Sequence, residues 1–257
     1  MKESEKKNIT RRSFLRRTAA SVVGAGIGIS SVAGGLSAAG QEKGANQSKD
    51  SASPSIREYR KLGNTGWKVS DISFGNAGMK DPSLLEYAMD RGINYVDTAR
   101  QYYDMEKVIG KLFPEKRDKL FVTTKLMPEL ITADVSEEAV MNGIEDSLKR
   151  LNTDYIDCCL IHSVGDPGLG DRSRIENPAV ASAFEKAVKQ GKIRNWGASS
   201  HGPKMVEELT WLMDNTSANM IMPGMNMLTG GLGPVIEKAS RKGVAVVAMK
   251  SLSAARK

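Results

Sequence analysis

The chain has 257 residues, enough for one large domain or two small ones, and its 40% hydrophobic and 26% charged content is that of an ordinary globular body. The formal charge of +7 does not mark a nucleic-acid binder. Residues 1–17 carry +5 of it, and the remainder, at +2, has no surplus from which to build a phosphate-tracking face.

In chain order, the first element is an address. "TRRSFLRR" (10–17) precedes the mildly apolar "TAASVVGAGIGISSVAGGLSAAG" (18–40). A basic start, an apolar stretch and small residues near Ser37–Ala39 make residues 1–40 a signal peptide. The paired arginines followed by Ser-Phe-Leu resemble the twin-arginine export signal, which implies the twin-arginine export machinery as a partner and a periplasmic or other extracytoplasmic destination. The stretch is too rich in Gly and Ser for a stable membrane anchor. Residues 41–55 are polar and read as a flexible linker, so the folded domain is expected over 56–257.

The body opens with "REYRKLGNTGWKVS" (57–70), a β-hairpin by its Gly-Asn-Thr-Gly turn. Seven strand candidates follow: 71–75, 93–99, 120–125, 155–162, 193–200, 219–226 and 244–250. Helical stretches fall between them at 82–92, 136–152, 178–192, 203–215 and 234–243. Ser136 caps the second of these, with acids in its first turn. Pro near several starts and Gly after several ends mark the boundaries.

Strand and helix in alternation predict parallel strands with crossover helices, either a doubly wound sheet or a (β/α)8 TIM barrel. A glycine-rich dinucleotide turn after the first strand would favour the former, and "GNAGMK" (75–80) has the wrong spacing for one. Polar residues stand instead at the carboxyl ends of several strands, where a barrel gathers its active site. Cys158 and Cys159 are neighbours in a strand, point to opposite faces, and read as small buried hydrophobes. The sequence has no pattern of metal ligands.

The strand ends supply Asp97, Lys125, His162, Ser199 and Ser200, with Tyr102 and Tyr103 just past Asp97. Singly, each has an ordinary reading as a helix cap, a solvated loop end or a core histidine. Together, an acid, a tyrosine, a lysine and a histidine make a proton-transfer set. A phenol of pKa about 10 is a poor acid near neutrality unless a cation lies beside it, so Lys125 is expected to lower that value. A histidine can polarise a carbonyl oxygen. Nothing in these residue types decides between Tyr102 and Tyr103.

Several segments together resemble the aldo/keto reductase family: "EYRKLGNTGWKVS", "GINYVDTARQYYDMEKVIGKLF", "LFVTTK", "YIDCCLIH", "GKIRNWGASSH" and "KGVAVVAMKSL", spanning about 57–252. The resemblance implies the α/β (β/α)8 fold with its N-terminal hairpin. It also implies NADP(H)-dependent interconversion of a small carbonyl substrate and its alcohol. By that resemblance the catalytic set is Asp97, Tyr102, Lys125 and His162. The family's spacing of five residues after the aspartate selects Tyr102 as general acid and leaves Tyr103 on the rim. Ser199, Ser200, Lys250 and Ser251 match cofactor-binding places. His201 is expected to serve the loop rather than catalysis.

Two departures set further expectations. Near Met222 the family often has a glutamine that contacts the nicotinamide. The chain also reaches Lys257 just after the seventh strand candidate, so the eighth strand and C-terminal segment are expected to be missing, as from a truncated frame. Seven strands of an eight-strand design expose two edges. Such a chain is expected to be marginally stable and to bind NADPH weakly or not at all. An alternative to the enzyme is a non-catalytic barrel that keeps the mouth as a ligand pocket.

Overall fold

The computed structural model describes residues 55–75, 78–113, 115–166, 168–169 and 172–253. The signal peptide of 1–40 and nearly all of the linker of 41–55 lie outside the described residues. The described residues all belong to the compact unit Ala52–Lys257.

Two short strands, β1 (Tyr59–Lys61) and β2 (Lys68–Ser70), pair antiparallel as the predicted hairpin. Gly63 at its turn has φ +48°, and a Cβ there would lie 2.5 Å from the Ala245 amide nitrogen. Only glycine lets the hairpin tip press so closely on the last strand.

The remaining strands are β3 (Phe74–Gly75), β4 (Tyr95–Asp97), β5 (Phe121–Leu126), β6 (Ile156–Ile161), β7 (Ile193–Ser200), β8 (Met220–Pro223) and β9 (Ala245–Val246). They form one parallel sheet in sequence order, each strand beside the next. Between them lie α1 (Ser83–Met89), α2 (Met105–Gly110), α3 (Glu137–Leu151), α4 (Ser173–Glu176), α5 (Pro178–Lys189), α6 (Met205–Asn215) and α7 (Gly233–Lys242). Each βαβ crossover has the same hand, so a sheet in unbroken sequence order carries its helices on one face and curls around the other. This is the (β/α)8 fold with seven parallel strands among the described residues; β3 and β9 stand at its two ends, each with one neighbour.

The two faces are distinct in composition. The larger apolar cluster joins the outer strand face to the helices, through Val96, Val122, Cys159, Ile161, Trp196 and Ile221 among others. The smaller cluster fills the inner face with Tyr95, Phe121, Cys158, Leu160, Met220 and Met222, plugged by Leu62 and Val69 of the hairpin. Burial on both faces explains why β5 and β6 read as continuous apolar runs. Cys158 and Cys159 are free, buried and divided between the two clusters, as alternation requires.

Local signals placed the longer helices. Ser136 accepts a hydrogen bond from the Ala139 amide at 3.2 Å, and Asn152 closes α3 in the left-handed conformation. Asn177 caps α5, with Pro178 at its first position. The short helices α2 and α4 have six and four residues, too few to show a helical period, and the sequence reading treats their segments as loops. The end strands β3 and β9 are only two residues long, against predicted runs of 71–75 and 244–250, because each has ladder bonds on one side only; a single bridge, Gly224 to Met249, extends the pairing beyond β9.

Candidate active site

Period-two alternation puts Asp97, Lys125 and His162 on the inner side at the carboxyl ends of β4, β5 and β6, each two residues further along than its neighbour, since Asp97 pairs with Thr123 and Lys125 with Leu160. Lys125 is 1% exposed, and its ammonium donates to both Asp97 carboxylate oxygens at 2.7 Å and to the Thr98 carbonyl at 2.8 Å. All three donors are therefore used, which is what makes an ammonium tolerable inside a protein. Burial still pushes the Asp97 carboxyl above its ordinary value, against the pull of Lys125. Thr98 has no signature in the sequence as part of this set, because it contributes only its carbonyl.

Tyr102 lies in the turn after β4. Its ring centroid is 5.2 Å from the Lys125 ammonium and 5.8 Å from the His162 ring, edge to face. Its phenol is pushed up to about 12, chiefly by burial and next by the Asp97 charge. This corrects the expectation that Lys125 lowers it. The lysine's charge is committed to Asp97, whose negative charge opposes formation of a phenolate. Tyr102 is thus a fully protonated donor at neutral pH. Tyr103 is 84% exposed and faces solvent, in keeping with a rim residue.

His162 is buried and held down at about 3, first by burial and then by the positive charges of Lys125, His201 and Arg174. It is neutral at any physiological pH. Its Nδ1 has no partner among the described residues. The loop around it is stapled by the buried Arg174, which donates to the carbonyls of Ile131 (2.7 Å), Pro128 (3.1 Å), His162 (3.1 Å) and Ser163 (3.3 Å). Sequence reasoning passed over Arg174, since one arginine in a polar loop carries no local mark.

Because the unfolded chain protonates His162 near 6.5 and the fold holds it neutral down to about 3, the unfolded state binds the extra proton between those values. Stability from this residue is complete above pH 6.5 and falls as pH drops toward 3. Its share of the slope is at most about 1.4 kcal/mol per pH unit. Urea midpoints measured from pH 7 to pH 4 should fall, and His162→Gln should flatten the profile; an unchanged slope would refute the assignment.

Ser199 and Ser200 are buried at the end of β7. Ser199 Oγ accepts the Ser163 amide at 3.1 Å, whereas Ser200 Oγ has no partner among the described residues. A cavity of about 510 Å³ opens between the ends of β3 and β4 and the segment after β9; neither serine lines it, although Met222, the register partner of Ser199, does. Asp97, Tyr102, Met222, Met249, Lys250 and Ser251 line it. The structure therefore brings Asp97, Tyr102, Lys250 and Ser251 onto one cavity; Lys125 stands behind Asp97, and His162 touches the Tyr102 ring. Met222 presents a thioether to this space. His201 pairs with the Asp166 carboxylate at 3.0 Å and donates its amide to the same group, a loop-fixing role.

A groove of similar size, about 540 Å³, runs along α6 between Arg172 and Trp211. Its Arg172 is engaged by Glu207 and Glu208 and its Asp214 by Lys238 and Lys242, so its charged groups serve the surface and the chemistry belongs to the mouth. Among the described residues, no helix is long and apolar enough to cross a membrane, and no group of three or more His, Cys, Asp or Glu side chains could hold a metal ion.

Comparison with known proteins bears on the family and the fold. The family model described as "Aldo/keto reductase family" matches residues 61–255. The chain is 34% identical over 129 residues to a methylglyoxal reductase of Escherichia coli, YeaE, covering 49% of this chain and 41% of that protein. Among solved structures it resembles an aldo-keto reductase of Bacillus halodurans, AKR11C1, at a TM-score of 0.61 and 25% identity, covering 74% of this chain and 65% of that one. The aldo-keto reductase of Klebsiella pneumoniae solved in complex with NADPH shares the fold, with a TM-score of 0.60, 24% identity, and coverage of 78% and 70%. The chain spans about half the length of the curated relatives it matches.

Proposed function

The chain belongs to the aldo/keto reductase family, an oxidoreductase family, and on that premise we propose that it uses NADP(H) to interconvert a small aldehyde or ketone with its alcohol, with Tyr102 as the general acid. The observation that carries this reading is the convergence of Asp97, Lys125, Tyr102 and His162 at one mouth, beside a 510 Å³ cavity.

The residues present fit a nicotinamide cofactor. Lys250 and Ser251 border the cavity, and Ser199, whose hydroxyl still has a proton to donate, pairs in register with Met222, which lines it. When bound, the cofactor supplies hydride to the carbonyl carbon. The chain's own residues handle the oxygen. His162, held neutral, can offer a ring N–H to the carbonyl oxygen without adding a charge. Tyr102 delivers the proton that balances the hydride, and its phenol returns to the protonated state from solvent. Asp97 holds Lys125 in place, with its ammonium 5.2 Å from the centre of the Tyr102 ring.

The small dicarbonyl named in the Escherichia coli relative suggests a short, polar aldehyde as substrate. The test is loss of NADPH absorbance with a panel of aldehydes that includes methylglyoxal, at millimolar cofactor so that weak binding does not mask turnover. Met222 favours a second reading, a pocket that binds ligand without turnover, because a thioether is a weak partner for a carboxamide. Complete absence of turnover across the panel, with saturable ligand binding retained, would select it.

We also read residues 10–17 as directing twin-arginine export of the folded protein. Replacing Arg11 and Arg12 with lysine should hold the protein in the cytoplasm on fractionation; unchanged export would exclude that route.

A further inference from the structure

We propose that Arg150 and Glu106 form a clamp that positions Tyr102, by fixing the backbone turn on which its ring is carried. The proposal rests on the reading of Tyr102 as the acid, but the geometry behind it is separate.

Among the described residues, no hydrogen bond holds the Tyr102 hydroxyl. The ring's place is therefore set by its packing against the apolar core and His162 and by the turn of residues 99–104 that carries it. That turn is closed by two backbone bonds, from the Tyr102 amide to the Ala99 carbonyl and from the Met105 amide to the Tyr102 carbonyl. Its next residue, Tyr103, has φ +51°, a left-handed conformation that a bulky side chain adopts at a cost. The Tyr103 side chain projects into solvent, so its own packing does not enforce that conformation.

Arg150 does. It lies in the last turn of α3, and its Nη2 donates to the Tyr103 carbonyl at 2.5 Å. Its Nε donates to Glu106 Oε2 at 2.9 Å. Glu106 is fully buried in the first turn of α2, and its other oxygen accepts from Thr124 Oγ1 at 2.7 Å. Thr124 precedes Lys125 on β5. One planar guanidinium thus ties the Tyr102–Tyr103 turn to α3, and one buried carboxylate ties α2 to the strand that carries Lys125. Gly110 allows this closeness, since a Cβ there would lie 2.8 Å from the Arg150 carbonyl. The mechanism makes no other use of this buried ion pair, which sits on the helix side of the sheet, away from the cavity.

The test uses the full chain with tyrosines labelled at 13Cζ, and Tyr102→Phe to assign the resonance. The double variant Arg150→Met/Glu106→Gln removes both charges together, so no unpaired charge stays buried, and Gln can keep the Thr124 bond. Arg150→Lys is the milder companion. Lysine keeps a cation beside Glu106 but cannot fork to both partners at once, so it remains informative if the double variant does not fold. In the unaltered protein the Tyr102 resonance should hold its position through pH 11, in line with its raised value. In the variants it should begin to move by about pH 10, the ordinary range for a phenol, because the loosened ring reaches water.

The kcat for aldehyde reduction should fall about 10- to 100-fold in the double variant, the scale of a misplacement of about 1 Å, with KM within about threefold. Arg150→Lys should show the same changes at smaller size. A fall in melting temperature with the Tyr102 titration and kcat unchanged would overturn the clamp, leaving the pair merely structural. So would a parallel rise in KM and loss of cofactor affinity, which would mean general loosening. Full turnover in Tyr102→Phe would instead refute Tyr102 as the acid, while the resonance still reports whether the clamp positions the ring.

Discussion

Replacing Tyr102 with Phe should lower kcat for carbonyl reduction by about 10²–10⁴-fold, the usual contribution of a positioned general acid. The substitution removes one hydroxyl and keeps the ring that packs against His162, so the melting temperature should stay close to that of the unaltered protein. Among the described residues that hydroxyl has no hydrogen-bond partner, so no buried group is stranded by its loss. Stopped-flow or steady-state loss of reduced-cofactor absorbance measures the first quantity, and calorimetry the second. Because the phenol is pushed up to about 12, it is protonated throughout the physiological range, and reduction should stay flat with pH up to about 10. The reverse reaction needs the phenolate and should rise with pH over the same range. Turnover unchanged in the phenylalanine variant would remove Tyr102 from the mechanism.

Lys125→Met should have the largest effect on stability. It leaves the Asp97 carboxylate without its partner, and breaking one side of a buried pair typically costs about 3–5 kcal/mol. Asp97 keeps 18% exposure of its side chain, so water recovers part of that and the low end is expected. The sign of the pH dependence is fixed by Asp97, whose value the fold already raises. Once Lys125 is gone, that value rises further, and the protonated acid is easier to bury than the anion. The variant should therefore be most destabilised near pH 7 and less so as pH falls toward 5. Asp97→Asn/Lys125→Met should recover most of the stability and none of the activity, since the ammonium beside the Tyr102 ring is still missing. Urea denaturation at pH 7 and pH 5 measures these differences. A single variant as stable as the parent at pH 7 would show that the pair contributes nothing to the fold.

Much of the fold was legible locally. β5 and β6 announced themselves as unbroken apolar runs because both faces of a parallel sheet are covered. Ser136 and Asn177 marked helix starts by the chemistry of capping, and Gly63 marked the hairpin by its need for positive φ. The site was partly legible for a related reason. Strand ends are recognisable, and the topology sends every carboxyl end to one side, so Asp97, Lys125 and His162 could be grouped before any distance was known. What escaped were residues that act through long-range contacts. Arg174 staples carbonyls drawn from two distant segments, and Arg150 meets Glu106 across 44 positions of sequence. Neither has a period, a cap or a motif to announce it.

The amino-acid sequence determined the alternation of strands and helices, the parallel direction of the strands, and which residue types stand at their carboxyl ends. These follow from side-chain periodicity and from the single handedness of the crossover, both local properties of an L-polypeptide. The tertiary structure alone decided the electrostatics. Lys125 could have served Tyr102 or Asp97, and it lies 2.7 Å from both carboxylate oxygens, so the phenol is raised rather than lowered. It alone also decided that the exposed, left-handed Tyr103 is held by a guanidinium from another helix. Charge interactions and desolvation depend on separations of a few ångströms and on depth beneath the surface, and neither quantity exists until segments distant in the chain are packed together.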